Sequence, residues 1–127
     1  MQKQLLEKVP NIFIVTSGND KSGRAGMAFA QAAHSAALEL EVMIFLVLDG
    51  AKWAYLEYGK DYYHECFDSP IDNLKNCIDL GVKIISCATC HDQYKTAGLG
   101  SLREGIEIGG FNEVGTYLET YCNVMSY

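Results

Sequence analysis

Long apolar runs are missing from this sequence. The most apolar stretch, Val42 to Leu48, is seven residues, whereas a helix that crosses a bilayer needs roughly 20. The first ten residues carry charges on both sides of Leu5 and Leu6 and lack the apolar stretch of a signal peptide. A cytoplasmic chain with reduced thiols is therefore expected. Cations are also scarce: ten Lys and Arg stand against sixteen Asp and Glu, a formal charge of −6. That balance excludes a phosphate-tracking nucleic-acid binder, which needs a basic face, and argues against docking on anionic lipid. Proline occurs only at positions 10 and 70. Internal repeats, low-complexity tracts and linkers are absent, and 127 residues suit one domain, 1–127.

What is present alternates between two periodicities. Asn11 to Ser17 (NIFIVTS) and Val42 to Leu48 (VMIFLVL) are apolar and β-branched, as buried parallel strands are. Val82 to Ser86 (VKIIS) is a third such run, and Gly105 to Ile108 and Asn123 to Tyr127 are shorter, weaker ones, the last an edge strand. Between them, Arg24 to Leu40 reads as an Ala-rich helix with Phe29, Ala33, Ala36 and Leu40 on one face. Ser69-Pro70 reads as a helix start, followed by the stripe Ile71, Leu74, Cys77 and Ile78 and stopped by Gly81. Phe111 to Tyr121 reads as a helix with Val114 and Leu118 inward. Strands alternating with helices predict an α/β fold of three layers with parallel pairing. The stretch Ala51 to Phe67 is irregular and crowded with Trp53, Tyr55, Tyr58, Tyr62, Tyr63 and Phe67. Such density means packing or a subunit interface.

Ligands and reactive groups in open parallel sheets gather at the carboxyl ends of the strands. Here those ends are Ser17 to Gly23, Asp49-Gly50 and Ser86 to His91. The first lacks the spacing of either GxxxxGK[ST] or GxGxxG and reads as a tight connection. The third holds Cys87-Ala88-Thr89-Cys90-His91. Cysteine at a helix start is favoured as the thiolate, and Cys90 lies on the same side of the first turn. The plain alternative is that Cys87 is a small buried hydrophobe. His91 is either a base or a polar residue of that turn. Five cysteines (66, 77, 87, 90 and 122) cannot all pair within one chain. Cys77 reads as core, and Cys66 and Cys122 lie outside any constellation. A structural zinc needs four ligands, and no second CxxC or HxxxH follows, so His64, His91 or Cys66 would have to complete a site by folding near it. No metal and no cofactor is expected. Thioredoxin-like exchange is disfavoured because the CxxC follows the third strand and no proline comes after Pro70.

Taken together, the first strand, the Ala-rich helix, VMIFLVL, VKIISCATCHDQYKTAGL and GIEIGGFNEVGTYLE resemble the DsrE/DsrF-like family of small sulfur-handling proteins over nearly the whole chain. The resemblance implies a three-layer sandwich with a mostly parallel sheet of about five strands, and homo-oligomers, trimers or hexamers. It also implies a cysteine at Cys87 that carries sulfane sulfur or thiosulfonate between donor and acceptor proteins, TusA-like or rhodanese-like. Some members lack that cysteine and serve as structural subunits, and only some carry a second at the position of Cys90.

On this reading the chain is a sulfur carrier or sulfurtransferase. Cys87 attacks a sulfane sulfur, holds it as a persulfide or S-thiosulfonate and presents it to an acceptor thiol. Backbone N–H groups near Ala88 and Thr89 stabilise the anion, with His91 beside them, and Cys90 releases the sulfur by forming a disulfide. The rival readings are a non-catalytic subunit of a sulfur-relay complex and a CxxC thiol–disulfide redox protein.

Overall fold

A computed structural model describes residues 10–20, 22–61, 64–66, 69–119 and 122–127. The apolar, β-branched segments form strands β1 (Asn11–Val15), β2 (Val42–Leu46), β3 (Lys83–Cys87), β4 (Ile106–Gly109) and β5 (Asn123–Ser126). Helices α1 (Arg24–Ala37), α2 (Pro70–Asp79), α3 (Ala88–Tyr94) and α4 (Phe111–Leu118) lie between them, and a 3-10 helix (Leu48–Ala54) follows β2. The sheet order is β4-β3-β2-β1-β5, and every neighbouring pair runs parallel. The five-stranded parallel sheet and the α/β class are those the strand–helix alternation predicts. β5 is an edge, as expected, and β4 is the other.

Strand alternation sorts the side chains into two layers. Phe13, Val15, Ile44, Leu46, Ile84 and Ile106 face α1, α2 and the 3-10 helix in one buried cluster. Ile12, Met43, Phe45, Ile85 and Cys87 face the other way and meet Val114 of α4. In the first layer Ala25, Ala28 and Ala32 are buried, which lets α1 lie close to its neighbours, and Gly26 brings it against Pro70 at the start of α2. Trp53 packs edge-on to Phe29 and Tyr58, at 5.7 and 5.0 Å between ring centroids. Its Nε1–H donates to the Ser17 carbonyl at 3.0 Å. Trp53 and Tyr55 are thus packing residues of this chain's own core; Tyr62, Tyr63 and Phe67 lie outside the described residues.

Several boundaries differ from those predicted. β1 stops at Val15, and just beyond it the Thr16 N–H and hydroxyl both donate to the Tyr127 carbonyl, at 2.7 and 2.8 Å. α1 ends at Ala37; Glu39 takes a left-handed φ of 65°, which carries Leu40 off the expected stripe and leaves it exposed. β2 ends two residues early, and Asp49-Gly50 belong to the 3-10 helix rather than to a terminating turn. Gly50 is required there, since a Cβ would fall 1.9 Å from the Val15 carbonyl oxygen. Ser69 sits at the N-cap of α2 with Pro70 at the first turn, as predicted, but its hydroxyl makes no cap bond. Val114 is buried as expected, whereas Leu118, the last residue of α4, is exposed.

Candidate functional site

The chain is apolar up to Ser86 and then changes character within one residue. Cys87 still belongs to the β3 ladder, in register with Gly109, and also occupies the N-cap of α3. Alternation puts its side chain in the thinner layer with Phe45 and Ile85, and it is only 2% exposed. Ala88 and Thr89 form the first turn of α3, and the Cys87 thiol makes no cap bond to that turn. Cys90, three residues on, is half-buried and packs against the buried cluster that holds Cys87.

A third element closes the group. The Leu48 N–H, at the carboxyl end of β2, donates to Cys90 Sγ at 3.3 Å. Leu48 adopts φ 57°, in the left-handed region that bulky residues rarely enter, and its side chain is 60% exposed. Burial pushes the Cys90 thiol above its ordinary range. The Leu48 N–H opposes that shift, and the neighbouring Cys87 thiol adds to it.

Two tyrosines flank this group. Tyr55 is buried; its hydroxyl lies 2.7 Å from His91 Nδ1, and the two rings stack at 6°. Burial raises the Tyr55 hydroxyl above its usual range, with Cys90 and Asp92 adding to the effect. Tyr94 donates to Asp49 Oδ1 at 3.4 Å and carries Lys52 Nζ over its ring at 5.3 Å. Its hydroxyl is likewise raised, chiefly by burial, with Lys52 opposing. The polar groups of the 3-10 helix and of α3 thus converge around Cys90.

The other cysteines stand elsewhere. Cys77 is buried in the thicker layer, its thiol donating to the Phe29 carbonyl at 3.4 Å, and burial pushes it up to about 12. Cys66 is exposed, its N–H donating to His64 Nδ1 at 3.1 Å. Cys122 packs half-buried against the thinner layer. Among the described residues, no three His, Cys, Asp or Glu side chains are grouped to hold a metal ion. No helix there is long and apolar enough to cross a membrane. In the first loop, Asp20 accepts from both the Ser22 N–H and the Ser22 hydroxyl, a local turn leading into α1.

Cys87, Ala88, Thr89, Cys90 and His91 are thus contiguous at the end of β3. Sequence reasoning missed Leu48, Tyr55 and Tyr94. Nothing in a run of apolar residues marks Leu48 as the one that turns left-handed. Tyr55 was one aromatic among six, and only the fold sets it against His91.

A family model for the DsrE/DsrF-like family matches residues 11–127. The crystal structure of the ychN protein from E. coli superposes with a TM-score of 0.77 at 19% identity, covering 94% of this chain and 99% of that one. The structure of a conserved protein of unknown function, BT1422 from Bacteroides thetaiotaomicron, gives 0.62 at 15%, covering 92% and 94%. These two likenesses establish the fold. The uncharacterized protein MJ0760 of Methanocaldococcus jannaschii is 28% identical over 110 residues, 86% of this chain. The chain spans 40% of the length of that relative.

Proposed function

The chain belongs to the DsrE/DsrF-like family, whose members suggest a role in sulfur relay, and from that premise we propose that it is a sulfur carrier. The Cys87–Cys90 pair accepts a sulfane sulfur or thiosulfonate from a donor protein, holds it on Cys87 and yields it to an acceptor thiol. The observation that carries this reading is a pair of free thiols, one buried and one half-buried, within one turn at the carboxyl end of an inner strand. A persulfide is consumed by any thiol that reaches it, so a store needs a shielded sulfur beside an accessible one. Leu48 and Phe111, 60% and 68% exposed, begin the 3-10 helix after β2 and α4 after β4, on the same carboxyl edge of the parallel sheet as the pair. They offer apolar contact to donor and acceptor proteins or to further copies of this chain in a cytoplasmic homo-oligomer.

The test is to incubate reduced protein with polysulfide, and separately with tetrathionate, and to record intact and peptide mass spectra. A sulfur or thiosulfonate adduct on the peptide holding Cys87 and Cys90, lost when both are replaced by serine, is expected. Loss of two hydrogens with a Cys87–Cys90 link would instead support thiol–disulfide exchange. No modification would leave a non-catalytic subunit as the better reading.

A further inference from the structure

Exposure divides the two thiols of the pair. A donor sulfur must reach the attacking thiolate along the line of the S–S bond it breaks, so access limits the rate as much as ionisation does. Cys87 is 2% exposed and lies among Phe45, Ile85 and Val114. Cys90 is only half-buried and receives the Leu48 N–H at 3.3 Å, a fixed donor placed where negative charge gathers on sulfur. That donor comes from one of two described non-glycine residues with positive φ, the other being Glu39. An unfavourable backbone conformation is thus held at an amide that reaches a sulfur of the pair.

Resting on the sulfur-carrier reading, we propose that Cys90 is the port and Cys87 the store: sulfur enters on Cys90 and is then handed to Cys87. In the first step the Cys90 thiolate attacks the outer sulfur of a persulfide R–S–SH. The S–S bond of the donor breaks, RS⁻ leaves, and it takes up the proton that Cys90 gave up. Cys90–SH and R–S–SH thereby become Cys90–S–SH and R–SH. In the second step the Cys87 thiolate attacks the same outer sulfur, giving Cys87–S–SH and restoring Cys90–SH. Both steps move one neutral sulfur atom between thiols, so no external oxidant or reductant is consumed. Delivery to an acceptor thiol runs back through Cys90. Cys90 lies one helical turn from Cys87 and packs against the cluster that holds it, so the handover occurs without a large movement.

Glutathione persulfide is the probe, with fragment-ion mass spectra that separate Cys87 from Cys90 and from the exposed Cys66. Cys87→Ser is expected to load Cys90 at the wild-type initial rate. Cys90→Ser is expected to load Cys87 more than about tenfold more slowly, because the remaining thiol is shielded. Loading of Cys87 in Cys90→Ser at the wild-type rate overturns the port. To separate this from misfolding, Cys90 is alkylated on the folded Cys66→Ser protein with limiting iodoacetamide, and loading of Cys87 is expected to stop. Undiminished loading after that alkylation also overturns the port while leaving the carrier reading intact. Failure of the wild-type protein to take any sulfur overturns the carrier reading itself, and the port with it.

Discussion

The two sides of the sheet are built to different depths. On one, α1, α2 and the 3-10 helix bury Phe13, Phe29, Trp53, Tyr55 and Leu74 in a continuous layer. On the other, α4 contributes one buried side chain, Val114, over Ile12, Met43, Phe45 and Ile85, and its Phe111 and Leu118 remain exposed. The same residue type behaves differently in the two settings. Cys77, sunk in the thick layer, has a thiol pushed up to about 12. Cys87 lies at the rim of the thin layer, one helical turn from half-buried Cys90. The Cys87–Cys90 pair thus sits where the fold is shallow, and the thick layer holds the scaffold in place.

The largest expected effect is therefore chemical. At mildly alkaline pH, a thiol near 12 rather than at its ordinary 9 is ionised roughly a thousandfold less, tenfold per unit. Cys77 should resist iodoacetamide in the folded protein while Cys90 and Cys66 are labelled, as read by peptide mass spectrometry. Because the Cys90 thiol is itself raised, its labelling should go on accelerating as pH climbs past the usual thiol range. Labelling of Cys77 as fast as Cys90 would break the contrast between the layers.

The next effects concern stability. Trp53→Ala removes the ring that joins Phe29 and Tyr58 and is expected to cost about 3–5 kcal/mol in urea denaturation. Val114→Ala, on the thin side, removes far less volume where neighbouring side chains can close in, and should cost roughly 1–2 kcal/mol. Equal losses would mean that the thin layer is as integral to the core as the thick one.

The difference between the layers was only partly legible in the sequence. The strand–helix alternation specified a parallel sheet, because βαβ crossovers allow little else, and the Cys77 stripe was readable from helical spacing. The Cys87 position followed from an apolar run ending in CxxC. The partition of exposure between Cys87 and Cys90 was not readable, since it depends on which face the last residue of β3 takes against β2 and α4. Nor was the Leu48 contact, which arises from a backbone turn that leaves no residue signature when the residue is leucine. Trp53 and Tyr55 were visible as aromatics, but whether they served this chain's core or an interface was settled only by the path of the 3-10 helix.

The smallest effect tests how the thin layer's helix is fastened. The Gly110 N–H, at the start of α4, donates to Glu113 Oε2 at 2.6 Å, satisfying one of the donors a helix start leaves free. The Glu113 carboxyl is held below its ordinary range, first by its own backbone N–H and then by that of Gly110, with Lys83 assisting. A carboxyl depressed in the folded state contributes stability that is fully present above its unfolded value and lost as pH falls through the folded one. Glu113→Gln keeps the shape but loses the charge. Its urea midpoint should fall slightly below wild type at neutral pH, and the two should converge in acid, once pH has fallen through the lowered range of the wild-type carboxyl. The group is fully exposed to solvent, so added salt should shrink the neutral-pH difference. A gap that persists at acid pH would mean that the side chain holds α4 by shape rather than by charge, and that the thin layer is fastened by packing on both sides of Val114.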